Sequence, residues 1–176
     1  MFLGTPRDYK GLDDLATAVA SIGRNDVTLV VVGAHADSAA GKRILERCPQ
    51  AKLVPWVPFD QVPTLLSAAD VVAVPQLETP DTLAQVPAKI FDAMALGRPV
   101  VSTRVSMIPE ILDGCGLLVE PGDVSGLAAA IRTLLDDSTH AEALGARARE
   151  RCVERYSFQA ARGDLFPLIE RVMAPR

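Results

Sequence analysis

Short apolar, β-branched runs separated by helix-patterned segments constrain this chain more than any other feature of its sequence. The runs are "VTLVVVG" (27–33), "AKLVP" (51–55), "ADVVAVP" (69–75), "RPVVST" (98–103) and "GLLVE" (116–120). Most are almost unbroken in apolar character, as expected of parallel strands covered by helices on both faces rather than strands with one wet side. Between them, "KGLDDLATAVASIG" (10–23) places Leu12, Leu15, Ala16, Val19 and Ile22 at helical spacing, and "FDQVPTLLSAA" (59–69) and "SGLAAAIRTLLDD" (125–137) are also helix-patterned. Strand and helix alternating in this way require right-handed βαβ crossovers, so the expected fold is α/β, with a Rossmann-like, doubly wound parallel sheet. Residues 137–172 break the alternation with two helical stretches around "YSF" and no further strand.

A length of 176 residues, 49% of them hydrophobic, suits one domain over 1–176 with a single sizeable core. No Gly- or Pro-rich linker interrupts it. Only "MFL" precedes "GTPRDYKG", so the first strand is expected to be short and the domain truncated at its front. A formal net charge of −4 argues against nucleic acid or an anionic membrane as the main partner, since no broad basic surface exists to release counterions. Cys48, Cys115 and Cys152 are scattered and odd in number, which fits a reducing, cytoplasmic setting rather than a disulfide framework. No apolar run reaches the roughly 18 residues of a membrane span.

In an open α/β sheet, ligands bind beyond the carboxyl ends of the strands. Four loops lie there, beginning at Gly4, Gly33, Pro75 and Thr103, and the longest leads from Gln76 to Val86 into "QVPAKIFDAMALGRPVVST" (85–103). Pro87 suits the first turn of a helix, whose free amide groups offer an anion site. Asp92 would lean back toward a ligand there and, about 7 to 8 Å along the axis, reach past phosphates to a ribose. It could equally complement the helix dipole and face water. Lys89 is likewise either a diphosphate contact or a solvated helix residue. Arg7 and Lys10 flank the opening of the first helix, where two cations could meet a diphosphate or simply be hydrated.

Other signals are weaker. "VVVGAHADSAAGK" lacks the spacing of a phosphate loop. His35 and His140 have no partners at motif spacing, so neither a catalytic triad nor a zinc site is expected. No acidic D-x-D follows a strand to hold a metal-bridged diphosphate.

Four ordered segments carry a family resemblance. "GTPRDYKGLDDLATAVA" resembles a G-R-L-x-x-x-K-G opening, and "VPWVPFDQVPTLLSAADVVAVP" resembles G-x-V-x-x-x-x-L-x-x-L-x-x-A-D-V-x-V-x-P. "KIFDAMALGRPVVST" is similar to K-L-F-E-x-M-A-x-G-x-P-V-V-A-S, and "IPEILDGCGLLVEPGDVSGLAAAI" to I-P-E-x-x-x-x-x-x-G-x-L-V-x-P-x-D. Together these resemble the carboxyl-terminal, donor-binding domain of retaining GT-B glycosyltransferases of the group 1 type, a group rich in bacterial cell-surface sugar transferases.

The resemblance implies one half of a GT-B fold with extra carboxyl-terminal helices. It also implies binding of a nucleoside-diphosphate sugar, for transfer to an acceptor held by a missing amino-terminal domain. Polysaccharide biosynthesis is the implied setting. The family's diphosphate lysine falls on Lys10 and its partner arginine on Thr5, with Arg7 nearby. The acid that holds the ribose falls on Asp92, the backbone amides at the helix start on Val86 and Ala88, and the base-binding loop on Val57. The family's first glutamate falls on Ala84; Glu78 and Asp81 share that loop, and no catalytic residue is assigned. Expected partners are the nucleotide sugar, and either the missing domain or a second copy of the chain through apolar residues Leu165, Ile169 and Val172. No cofactor or metal is implied, and the full-length protein could touch the inner face of the membrane. The competing readings are a non-catalytic nucleotide-binding or regulatory module, and a domain of the same fold kept for protein contacts.

Overall fold

A computed structural model describes residues 1–173 of the chain, without the side chain of Asp164. Six parallel strands and nine α-helices are arranged along them: β1 (Phe2–Leu3), α1 (Leu12–Ile22), β2 (Val30–Val32), α2 (Ala39–Arg47), β3 (Lys52–Val54), α3 (Val62–Ser67), β4 (Val72–Val74), α4 (Pro80–Leu83), α5 (Lys89–Ala95), β5 (Val100–Thr103), α6 (Ile108–Ile111), β6 (Leu117–Val119), α7 (Val124–Asp136), α8 (Ser138–Arg151) and α9 (Phe158–Met173). All the expected strands form, each shorter than its apolar run.

The strands make two three-stranded parallel sheets, ordered β1-β2-β3 and β4-β5-β6. In the first, Phe2 aligns with Val31 and Val31 with Leu53. In the second, Ala73 aligns with Val101 and Val101 with Leu117. The two sheets meet at β1 and β4, where Met1 N donates to Val71 O at 2.6 Å and Ala73 N donates to Met1 O at 2.9 Å. Those two bonds follow the slanted pattern of a parallel ladder. Across the seam the order reads 3-2-1-4-5-6, the arrangement of a doubly wound dinucleotide fold.

Alternate side chains of each strand serve opposite cores, which is why the strands are apolar throughout. Val31, Ala73 and Val101 join the core formed with Leu12, Leu15 and Val19 of α1, Ile44 of α2 and Leu127, Ile131 and Leu134 of α7. Val72, Val74 and Val100 face the other core with Leu66 of α3, Ile90 and Met94 of α5, and Ile108 and Ile111 of α6. α8 links the two, placing Ala141 and Leu144 in the first core and Ala148 in the second.

Helix starts are fixed locally. Asp123 accepts from Gly126 N at 2.8 Å ahead of α7, and Asp137 accepts from His140 N at 2.8 Å ahead of α8, each cap worth about 1 kcal/mol. After α8, residues Cys152–Tyr156 widen into a π-turn that leads to α9. α9 leaves Leu165, Ile169 and Val172 exposed, the apolar surface expected there.

Two differences from the sequence reading concern helices. Pro87 does not open α5; the helix begins at Lys89, and the chain enters it through a tight 3₁₀-type turn, with bonds from Ile90 N to Pro87 O and from Phe91 N to Ala88 O. Asp92 therefore stands in the first turn of α5, nearer the helix start than the roughly 7 to 8 Å expected from sequence. The loop from Gln76 to Val86 also contains the four-residue helix α4, held by Thr79 N donating to Thr82 Oγ1 at 2.9 Å.

Candidate functional site

Where the strand order reverses, β1 and β4 send their following loops in opposite directions and leave a crevice between them. That crevice is a cavity of about 320 Å³, lined by Phe2, Leu3, Gly4, Lys10, Val74, Gln76, Gln85, Val86, Pro87, Ala88, Lys89 and Asp92. Five residues singled out from sequence thus share it: Lys10, Val86, Ala88, Lys89 and Asp92.

Gly4 shapes the floor. Its φ of +127° is a conformation side chains rarely adopt, and a Cβ there would lie 2.9 Å from Lys89 Nζ and 3.7 Å from Lys10 Nζ. Two ammonium groups from opposite sides of the seam therefore converge on one point of bare backbone. Lys10 is placed by a turn over Asp8–Lys10 ahead of α1, and its Nζ donates to Thr5 O at 2.9 Å.

Lys89 is half-buried rather than a solvated helix residue. Its Nζ sits 4.4 Å from the centroid of the Phe2 ring, and Phe2 is itself only 1% exposed. Loss of water and the nearby Lys10 lower its pKa to about 7. Lys10 is also lowered, first by burial and then by Arg7. Two cations held this close without a carboxylate between them are poorly stabilised until an anion arrives.

Asp92 lies half-buried on the same wall, and burial raises its pKa. No ion pair joins it to Lys89 among the described residues, so its carboxylate oxygens stay available as acceptors. Among the described residues no hydrogen bond engages the amides of Val86 or Ala88, which flank Pro87 at the mouth of the cavity.

Other candidates lie elsewhere. Arg7 is exposed and lines a neighbouring groove with Asp13, Arg43 and Arg47, close enough to Lys10 to affect its charge but outside the cavity. Val57 lies beyond β3 on a loop that does not line the cavity, between the exposed Trp56 and Phe59. Glu78, Asp81 and Ala84 are exposed on the loop around α4. His35 is exposed beyond β2, and His140 lies in the first turn of α8.

Sequence reasoning missed Gln76. It follows β4, is 3% exposed, lines the cavity, and its Oε1 has no hydrogen-bond partner among the described residues. Nothing in the sequence marks it, because its burial depends on the loop folding back between the Asp8–Lys10 turn and β5.

A six-strand order with its crevice above β1 and β4, helices on both faces and two further carboxyl-terminal helices define a Rossmann-like, doubly wound domain, and its fold matches the carboxyl-terminal domains of GT-B glycosyltransferases. The family described as Glycosyl transferases group 1 matches residues 1–137, and the chain belongs to that family. The MMP alpha-(1->4)-mannosyltransferase of Mycolicibacterium hassiacum is 30% identical over 172 residues, covering 94% of this chain and 41% of that protein. The chain therefore spans less than half the length of that relative. Among solved structures, the C-terminal domain of a glycosyl transferase group 1 family protein from Francisella tularensis superposes with a TM-score of 0.74 at 22% identity, over 90% of this chain and 86% of that one. Anabaena HepE in complex with UDP-glucose superposes with a TM-score of 0.81 at 20% identity, over 97% of this chain and 48% of that one. No helix among the described residues is long and apolar enough to cross a membrane.

Proposed function

We propose that this chain is the donor-binding part of a glycosyltransferase. It would grip a nucleoside-diphosphate sugar in the crevice above β1 and β4 while an acceptor-binding domain of a longer protein holds the sugar's recipient. The observation that carries this reading is the convergence of Lys10 and Lys89 on Gly4, with the Asp92 carboxylate in the same cavity. In this arrangement the diphosphate lies between the two ammonium groups and the free amides of Val86 and Ala88. The ribose hydroxyls donate to Asp92.

Transfer breaks the bond between the sugar's anomeric carbon and the diphosphate oxygen, and negative charge grows on that oxygen as the bond lengthens. Two poorly hydrated lysines facing it stabilise the departing diphosphate more than they stabilise the intact donor, the condition for accelerating the step. The charge that a metal supplies in other diphosphate sites would here come from the lysines, and chelation by EDTA should leave donor affinity unchanged. Anabaena HepE, whose fold this chain shares, is itself described in complex with UDP-glucose. Arg7 in its neighbouring groove and Val57 beyond β3 would contribute only if a bound nucleotide extends out of the cavity toward them.

Calorimetric titration with UDP, GDP and ADP tests the reading, each beside its monophosphate. A diphosphate should bind more tightly than the matching monophosphate, and Lys10→Ala should weaken it by about 1.5 to 3 kcal/mol, the range for hydrogen bonds to charged groups. Equal affinity for mono- and diphosphates would remove the paired lysines from the site.

A further inference from the structure

We propose that the Lys89 side chain takes up carbon dioxide as a carbamate, which sets a carboxylate opposite Lys10 in the crevice and makes Lys89 a reversible modification site. This goes beyond donor binding and needs no nucleotide. Lys89 Nζ and Lys10 Nζ lie 2.9 and 3.7 Å from the position a Cβ would take at Gly4, so the two groups face one small region from opposite sides of the seam. The cavity they line, about 320 Å³, has room for a CO₂ molecule.

The surroundings of Lys89 favour a neutral amine. Among the described residues no ion pair engages its Nζ, which rests 4.4 Å from the centroid of the buried Phe2 ring. Of the side chains lining the cavity, Lys10, Lys89 and Asp92 titrate. Lys10, with Arg7 behind it, is the charge that bears on the Lys89 amine. A lysine desolvated against an apolar wall and beside a second cation is the arrangement that makes an amine nucleophilic near neutral pH. At about pH 7.5 a group that titrates at about 7 is about three-quarters neutral, whereas a lysine at the ordinary 10.5 is neutral in about one chain in a thousand. Lys42 and Lys52, the remaining lysines of the chain, are exposed and line no part of this cavity.

In the step itself, the lone pair of the neutral amine adds to the carbon of CO₂. A C–N bond forms, one C=O π pair moves onto oxygen, and an N–H proton leaves to water, so the amine and CO₂ give R–NH–COO⁻ and H⁺ with nothing oxidised or reduced. The product replaces a group that repels Lys10 with one that attracts it across the same space. An exposed lysine gains no such partner. Asp92 shares the wall, yet Lys10 and not Asp92 is the charge that acts on Lys89. On the donor-site reading above, carbamate and diphosphate compete for Lys10, so dissolved CO₂ opposes donor binding.

The test incubates the full chain at about pH 7.5 with isotopically labelled bicarbonate, the source of dissolved CO₂, and no nucleotide. Carbon NMR reads the carbamate resonance, and trapping with triethyloxonium followed by peptide mass spectrometry locates it. The expected result is one carbamate resonance and a trapped ethyl carbamate on the peptide that contains Lys89. Lys89→Met should abolish the resonance. Lys10→Met, which removes the facing cation, should lower the occupancy of Lys89 several-fold, with thermal melting establishing that each variant folds. Trapping is done on the parent chain, so the assignment does not depend on either variant folding. No carbamate resonance at saturating bicarbonate overturns the proposal, as does a trapped group on Lys10, Lys42, Lys52 or the amino terminus in place of Lys89. Unchanged occupancy in a folded Lys10→Met variant overturns it too, because the two lysines would then not build the site together.

Discussion

Lys89 is the residue whose charge depends most on what occupies the crevice. Its ordinary pKa of 10.5 falls to about 7 in the folded chain, through burial and the neighbouring Lys10. Between those values the folded, ligand-free protein holds the group mainly neutral while the unfolded chain keeps it protonated, so its contribution to stability rises as pH climbs through that window. A diphosphate favours the charged form, and binding should draw a proton in. Calorimetry at about pH 8 in two buffers of different ionisation enthalpy should show that uptake. Diphosphate affinity should fall as pH rises from about 7, and Lys89→Met should abolish both effects. Identical apparent enthalpies in the two buffers would mean that Lys89 does not face the phosphates. Asp92 tests the other end of the ligand. Asp92→Asn keeps the shape but turns one acceptor into a donor, so nucleotide binding should weaken by about 1 to 3 kcal/mol while the melting temperature holds or rises. Lost stability with retained affinity would instead return Asp92 to a helix-dipole role. Lys89 and Asp92 stood out in sequence because they open a helix-patterned segment that follows the long loop after β4. Gln76 did not, since only the return of its loop against Tyr9 and Thr103 buries it, and Arg7, a diphosphate candidate from sequence, borders the cavity rather than lines it.

At the scale of elements, the joint between the Asp8–Lys10 turn and α1 decides where Lys10 points. Gly11 takes φ +63° there and closes to contact with the chain after β4, where a Cβ would lie 1.8 Å from Pro75 O. Gly23 ends α1 at φ +67° in open space, with its nearest such atom 4.0 Å away. Gly23→Ala should therefore lose only the left-handed preference, about 1 to 2 kcal/mol, whereas Gly11→Ala should lose that plus a further 1 to 3 kcal/mol from overpacking. Urea denaturation of the two variants measures the difference. Gly11→Ala should also weaken diphosphate binding, because the turn that aims Lys10 must shift; equal losses in the two variants would mean that the close approach has no energetic weight. The strands were readable because burial on both faces makes them apolar at every position, a pattern that needs no knowledge of partners. α4 and α6 were not, since helices of four residues have too few positions to show a period and depend on Thr79, Thr82 and early prolines to form.

For the whole molecule, the seam between β1 and β4 matters most. Lys10 and Gly4 belong to the half that contains β1, Lys89, Asp92 and Gln76 to the half that contains β4, and the cavity is walled by both. A ligand touching both walls should clasp them. The Ala73 amide, bonded to Met1 O across the seam, should then exchange its hydrogen more slowly when a diphosphate binds, and by a larger factor than the Cys48 amide, bonded to Ile44 O at the end of α2. Equal slowing at both would indicate general stabilisation rather than a clasp. The same seam sets an order of events in time. β1 is first in the chain yet central in the sheet, and the Met1–Val71 bond closes a span of 70 residues, whereas β4, β5 and β6 find one another across single crossovers. Long-range closures are slow steps in folding. Refolding followed by diphosphate binding should consequently lag refolding followed by helix content: the crevice comes into being only when the two halves of the sheet have met.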